Sequence, residues 1–340
     1  MRSKVNRRDF LKKTTGVAAG ALAFPYVVPA SVLGAGGVAP SERITMGCIG
    51  VGARGGGNMR SFLGRNQVRI LAVCDVDQER RRSAKGQVDK KYQNNDCSMY
   101  ADFRELIQRD DIDALSLALP DHWHSIPVIM AARAGKDMYA EKPLARTISE
   151  GRAMADAVHR YNRVWQTGSQ QRSTQNFHRA CELVRNGRIG KVHKVEVGLP
   201  TGRSGSNPPV QPVPEGLDWD MWLGPAPWRP YQGWGRGGKP HWDWRWIMDY
   251  SGGQLTDWAG HHIDIAQWGL GLERTGPVEI EGRGEYPKDG IFNVPMTYRF
   301  VCKYANGIEL TVANNKQLAQ GAKWYGEKGW IYVRRGKLEA

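Results

Sequence analysis

Ile44-Thr45-Met46-Gly47-Cys48-Ile49-Gly50-Val51-Gly52-Ala53-Arg54-Gly55 is the stretch whose reading decides the fold. Its first six residues are a short apolar run of the kind that makes a buried strand, and they pass without a break into Gly-x-Gly-x-x-Gly and a helix-like segment, 56–65. Each glycine has its own duty there. Gly50 permits the tight turn, Gly52 lets backbone approach a pyrophosphate, and Gly55 lets helix and strand pack closely. The helix N-terminus then faces the phosphates with unpaired N–H groups and the positive end of its dipole, with Ala53 and Arg54 at the contact. The spacing alone is weak; the strand before it and the helix after it carry the weight.

A second strand, 68–74, ends at Asp75, twenty residues beyond Gly55, where a carboxylate can hold the hydroxyls of an adenosine ribose. NAD is therefore expected ahead of NADP, because a carboxylate repels a 2′-phosphate, although Arg54 or the arginines at 80–82 could offset that repulsion. Helices over 78–92, 125–134 and 149–160 alternate with strands over 113–118, 137–140 and 163–167, the order of a doubly wound parallel sheet. Ligands in such sheets bind beyond the carboxyl ends of the strands. Pro120 to His124 and Glu141-Lys142-Pro143 both follow strands, so both are expected at one crevice.

Composition narrows the function further. A chain of 340 residues suits two domains, and its charge of +14 falls to +9 once residues 1–32 are set aside, with six basic side chains there against Asp9 alone. The remaining charge lies in mixed runs without the pattern of a nucleic-acid surface, so no nucleic-acid partner is expected. Cys48, Cys74, Cys97, Cys181 and Cys302 are scattered without Cys-x-x-Cys spacing, which excludes a disulfide framework or a cysteine zinc site and leaves small buried hydrophobes. Arg7-Arg8-Asp9-Phe10-Leu11-Lys12, a weakly apolar run to Val28 and small residues at Val28-Pro29-Ala30 resemble a twin-arginine export signal. That run is short of the ~20 residues of a membrane span, so a periplasmic protein free of the membrane after signal removal is expected. The route carries folded proteins, which suits an enzyme that must take up its cofactor in the cytoplasm.

Glu141-Lys142-Pro143 behind this dinucleotide fingerprint, together with Gly252-Gly253-Gln254-Leu255-Thr256-Asp257-Trp258-Ala259-Gly260-His261-His262-Ile263-Asp264, resembles the Gfo/Idh/MocA family, which includes glucose-fructose oxidoreductase and inositol dehydrogenase. The resemblance covers nearly everything after residue 43. It implies an α/β protein: an N-terminal Rossmann domain, 44–167, then an α+β domain with a mostly antiparallel open sheet, 168–340, for substrate and for assembly as a dimer or tetramer. Residues 1–32 are then signal and 33–43 linker. Relatives often continue beyond this point, so the second sheet is expected to lack a closing element.

By the same resemblance Lys142 touches substrate and nicotinamide, His261 is the acid/base, Asp257 positions both substrate and histidine, His124 lies near the nicotinamide, and Lys142-Pro143 is the candidate for a cis bond. On one helix Asp257 and His261, four apart, would share a face. Moving a hydride off a carbinol carbon requires its hydroxyl proton to leave, and either the histidine or a lysine with a depressed pKa could take it. His262 points away from His261 on such a helix and reads as structural; His159, His178 and His193 have no partner pattern. His122, His124, His261, His262 and Asp264 offer metal-ligand chemistry, but the fingerprint leaves a metal little to do and none is expected.

Seven of the thirteen tryptophans lie between 219 and 250 (Trp219, Trp222, Trp228, Trp234, Trp242, Trp244 and Trp246), with Tyr231 and Tyr250, in a Gly- and Pro-rich stretch that reads as long loops. Flat rings suit the C–H faces of a sugar, and Trp244 and Trp246 are the expected substrate wall, with core packing the competing use. Gln170-Gln171-Arg172, after the strand that links the domains, has the reach for cofactor or substrate, and Arg172 is placed with the substrate. The reading that joins these parts is an oxidoreductase of sugars or cyclitols with a tightly held nicotinamide. Two others stand beside it: a glycoside hydrolase that oxidises, eliminates and reduces in one cycle, and a sensor without catalysis. Retention of Glu-Lys-Pro, usually replaced in the family's hydrolases, favours the first.

Overall fold

The computed structural model describes residues 38–233 and 240–340. The export signal, residues 33–37 of the linker and Trp234 lie outside them. The chain divides between Arg43 and Ile44, and all that follows concerns residues 44–340.

Its first half is a six-stranded parallel sheet in the order β3-β2-β1-β4-β5-β6, with β1 Ile44–Ile49, β2 Val68–Cys74, β3 Ser98–Tyr100, β4 Ala114–Leu117, β5 Asp137–Glu141 and β6 Trp165–Gly168. Ile49 sits level with Cys74 on one side and Leu117 on the other, so β1 is central and its last residues are buried on both faces. The order reverses between β1 and β4, and a crevice opens there at the carboxyl ends. The helix after β1 starts at Ala53 rather than 56, because the Gly56 N–H already bonds the Gly52 carbonyl, at 2.6 Å. Tertiary packing thus overrides the poor helix propensity of three successive glycines. The short strand β3 and the helix Phe103–Ile107 were not expected; three and five residues are too few to carry a period. The five cysteines are buried, and burial pushes the Cys48 thiol up to about 12, which leaves it inert.

The second half is built from β7 Val192–Leu199, β8 Glu279–Glu285, β9 Thr297–Lys303, β10 Glu309–Asn314, β11 Gly321–Gly326, β12 Gly329–Arg334 and β13 Lys337–Glu339. They form a mostly antiparallel sheet in the order β13-β12-β11-β7-β10-β9-β8, in which, among the described residues, only the neighbours β7 and β10 run parallel. The helices Gln175–Arg185 and Ala259–Leu270 cover one face, where Phe177, Val195, Val197, Ile265 and Trp324 form the core. The indole N–H of Trp324 donates to the Ala266 carbonyl at 3.1 Å, and Gly269 leaves room for the ring. The described part of the tryptophan-rich stretch holds more regular structure than its Gly and Pro content indicated: Trp219–Leu223 is a helix, Asp243–Trp246 a 3-10 turn, and their rings form a separate core with Tyr231 and Tyr250.

Direct bonds hold this stretch to the parallel sheet beside the crevice. Trp123 donates to the Trp222 carbonyl at 3.1 Å, Arg146 to that of Met248 at 2.7 Å, and the Ser251 hydroxyl to Asp121 at 2.7 Å. Asp121 is 2% exposed and its second oxygen is buried without a partner. Burial above all, with Asp257 adding, pushes its carboxyl up to about 7. Between the ordinary carboxylate range and that value the folded chain holds a proton that the unfolded chain has lost, so this group's contribution to stability falls as pH rises from about 4 to about 7. Asp121→Asn, which mimics the protonated form, is expected to unfold at higher denaturant than the parent at about pH 8 and at the same denaturant at about pH 4; equal midpoints at both would remove the proton from Asp121.

Two glycine substitutions separate fold from propensity. A Cβ at Gly55 would sit 1.7 Å from the Gly50 carbonyl oxygen, so Gly55→Ala forces strand and helix apart and should lower Tm and abolish nucleotide binding together. At Gly86, exposed within the helix Gln78–Tyr92, a Cβ meets nothing within 4 Å, and Gly86→Ala should stabilise by about 0.5–1 kcal/mol without touching binding.

Candidate active site

A cleft of about 330 Å³ opens beyond the carboxyl ends of β1, β2, β4 and β5. Its nucleotide end is built by the turn after β1. Gly50 has φ +76° and packs so tightly against Ala118 that a Cβ would lie 2.3 Å from that carbonyl oxygen. Gly52 caps the following helix with no side chain over the first-turn N–H groups, so these face the cleft beside Ala53 and Arg54. Asp75 lines the same end. One of its oxygens accepts the Val51 N–H at 2.9 Å and the other the Asp77 N–H at 3.1 Å, which aims the carboxylate and leaves it further lone pairs for a ribose. The cap of the next helix is Asp77, not Asp75, so Asp75 is free of that duty. Arg80 lies across Gly52, where a Cβ would meet its guanidinium at 2.3 Å, while Arg81 donates to the Asp75 carbonyl. These residues fit a dinucleotide: glycines where only glycine fits, free N–H groups for phosphate and a carboxylate for ribose.

The other end is chemical. The Lys142-Pro143 bond is cis. Lys142 Nζ lies 2.7 Å from both Oδ1 and the backbone oxygen of Asp257, and Arg245 Nε lies 3.4 Å from Asp257 Oδ2. Burial alone would raise the Asp257 carboxyl; the ammonium and the guanidinium outweigh it and hold the group below the usual range. His261, 5% exposed, lines the cleft with Nδ1 buried and unpartnered. Burial first, then the cations of Lys142 and Arg335, push it down to about 2, so the ring is neutral at any working pH. Asp257 and His261 do not share one helix: Asp257 ends the turn Gln254–Asp257, and Ala259–Leu270 starts after Trp258. Both still line the cleft.

Glu141 lines the cleft but is already engaged, by Arg54 at 2.7 Å and Asn58 at 2.9 Å, and so ties the glycine helix to the strand that carries Lys142. Pro120 lines the cleft wall, and Gln170 joins it, donated to by Arg54 at 3.0 Å. Trp244 lines it too, its ring 4.4 Å from the Arg245 guanidinium, with Trp242 at the same distance on Arg245.

Three expected site residues are elsewhere. His124 is buried behind the wall, its ring nitrogens facing the Leu119 and Leu144 carbonyls at 2.9 and 3.2 Å, because Asp121–Trp123 coils into a 3-10 turn that swings the next side chain inward. Arg172 makes a two-pronged bond to Asp264, at 2.6 and 2.8 Å, and stacks on Trp268, outside the cleft lining. Trp246 is core, its indole N–H donating to Asp243 at 3.2 Å. Two cleft cations had no sequence signal of their own: Arg245, hidden in an aromatic run, and Arg335, in the turn after β12 (Gly329–Arg334). Among the described residues no cluster of three or more His, Cys, Asp or Glu is arranged for a metal. His122 faces the Trp222 carbonyl at 3.3 Å and His262 faces Gln171 at 3.4 Å.

Comparison with known proteins agrees with this layout. Residues 44–169 match the Gfo/Idh/MocA model described as "Oxidoreductase family, NAD-binding Rossmann fold", and 174–336 match that of the "Oxidoreductase family, C-terminal alpha/beta domain". Among curated relatives, the alpha-N-acetylgalactosaminidase of Shewanella oneidensis is 32% identical over 177 residues, and a glycosyl hydrolase family 109 protein of Shewanella sp. strain ANA-3 is 31% identical over 178. Each match covers 46% of this chain and 37% of the relative, so the chain spans well under half of those proteins. The WlbA dehydrogenase of Bordetella pertussis, solved with NADH and UDP-GlcNAcA, has a TM-score of 0.67 at 17% identity over 88% of this chain and 77% of that one, a likeness of fold. Matched in both halves, in order, by models of one family, the chain belongs to the Gfo/Idh/MocA oxidoreductases, and its first domain is an NAD-binding Rossmann domain.

Proposed function

We propose that this chain is an NAD-dependent oxidoreductase acting at a hydroxyl-bearing carbon of a sugar or cyclitol, with Lys142, Asp257 and His261 at the reacting centre. The observation that carries it is the 2.7 Å pair of Lys142 and Asp257 beside a neutral His261, in the same cleft as the glycine turn. When bound, the nicotinamide accepts or returns a hydride at the sugar carbon. The chain supplies the rest. An ammonium has three donors, and Lys142 spends two on Asp257, so one remains for the oxygen of the reacting hydroxyl and steadies the charge that grows on it. His261 receives the hydroxyl proton at Nε2, since Nδ1 is buried, and passes it on to solvent, because its ring does not hold a proton at working pH. Asp257 anchors Lys142, and its own geometry is fixed by Arg245. The Trp244 face, backed by Arg245, packs against the sugar ring.

The same cluster serves a redox-neutral reaction, in which oxidation activates a neighbouring bond for elimination and the hydride returns after water adds. The two glycoside hydrolase relatives favour that second reading. Glycoside cleavage without net use of a reducible co-substrate would select it, and stoichiometric consumption of one would select the dehydrogenase. Residues 1–32 we take as a twin-arginine signal, so that the protein folds around its cofactor before export and works in the periplasm, assembled through its second sheet.

Lys142→Ala should keep its nucleotide and lose about 10²- to 10³-fold in kcat, the usual worth of a donor aimed at a developing oxyanion; full turnover in a nucleotide-loaded variant would displace the reacting centre. Because His261 stays unprotonated, kcat/KM should show no acid limb near pH 6.5, which a solvated histidine would impose. Trp244 belongs to the aromatic core as well as the cleft wall, so Trp244→Ala should lower Tm and raise KM together, whereas Trp246→Ala should lower Tm with little change in KM; an unchanged KM in a folded Trp244→Ala variant would take Trp244 off the wall.

A further inference from the structure

We infer that the sugar carries an oxyanion, a carboxylate or a phosphate, and that Arg335 is the residue that binds it. The inference rests on the sugar oxidoreductase reading and names the class of sugar. Arg335 comes from the turn between β12 and β13 (Lys337–Glu339), yet it lines the cleft with Lys142, Asp257 and His261. It is held there from two sides. Its Nε donates to Gln171 Oε1 at 2.8 Å, and Gln171 is itself 3% exposed; its guanidinium lies 4.4 Å from the centre of the Trp258 ring. Such anchoring sets the direction of the fork before any ligand arrives. Nη1 and Nη2 have no hydrogen-bond acceptor, and no carboxylate comes within ion-pair distance of Arg335, among the described residues.

The charges around it do not balance. Arg54 is matched by Glu141 and Lys142 by Asp257, at 2.7 Å each. Arg245 reaches only the carboxylate that Lys142 already holds, Arg335 reaches none, and His261 is neutral. The reacting end therefore carries two cations in excess of its carboxylates, in a place where burial already disfavours the charged form of Arg335. A neutral sugar offers the unpaired fork hydroxyl acceptors but no negative charge. A carboxylate or phosphate accepts both prongs and supplies the missing charge.

Titration calorimetry on the full chain loaded with NAD tests this. The nucleotide occupies its own phosphate-binding turn, so Arg335 is probed by the sugar alone. The titrants are glucuronate and galacturonate, glucose 6-phosphate and galactose 6-phosphate, and the neutral glucose and galactose. One acidic class should bind at least about tenfold more tightly than its neutral parent, and which class does so names the oxyanion. Arg335→Gln should erase that preference, and Arg335→Lys, which keeps the charge but not the fork, should restore only part of it. Each variant is confirmed as folded by its retained nucleotide. Equal binding of neutral and acidic sugars, or a preference that survives Arg335→Gln, overturns the inference and leaves the sugar reading intact. If no sugar of any kind binds, the reading beneath it fails as well.

Discussion

The bond between Lys142 and Asp257 is the contact on which the rest of the site depends. Lys142 stands at the end of β5 in the parallel sheet, and Asp257 ends a short helix of the second domain, so a single 2.7 Å contact closes the crevice at its chemical end. Each partner is nearly buried, and removing one would strand the other in a poorly solvated place, at a cost of about 3–5 kcal/mol. The chain of contacts continues on both sides. Glu141, next in sequence, is held by Arg54 and Asn58 of the glycine helix, and Asp257 is approached by Arg245 of the aromatic segment. The glycine turn, Lys142 and the aromatic segment are thus successive links, and a change in one is felt in the others.

The burial that shapes this cluster also sets its electrostatics. His261 stays neutral because desolvation and two nearby cations all act against its charged form, whereas Asp257 stays charged because two cations outweigh its desolvation. The same principle, with no cation in direct contact, raises the Asp121 carboxyl to about 7 under the crevice. Opposite outcomes for similar degrees of burial come from what lies within a few ångströms of each group.

Much of this was legible in the sequence where local pattern and chemistry coincide. The alternation from Ile44 to Gly168, the three glycines and the Asp75 strand end could be read because period and turn chemistry point the same way. Lys142, Asp257 and His261 were legible through two separated motifs, and the structure brings them to one cleft. Misplacements arose where a residue's partner could not be foreseen. Arg172 was expected at substrate, but Asp264, in the very block that supplies His261, claims it. His124 was lost to a 3-10 turn, and Trp246 to a core that alternates with the wall along a single short segment. Arg335 had no signal at all, since only the pairing of β12 with its neighbours carries that turn to the cleft.

On the function proposed above, this chain folds around a nicotinamide dinucleotide and uses it at the Lys142 end of the cleft. Purifying the chain after cytoplasmic folding, releasing its ligand with denaturant and weighing that ligand by mass spectrometry addresses the claim directly. Stoichiometric NAD or NADH is expected; a chain that releases no nucleotide, and binds none when it is supplied, would rule this function out.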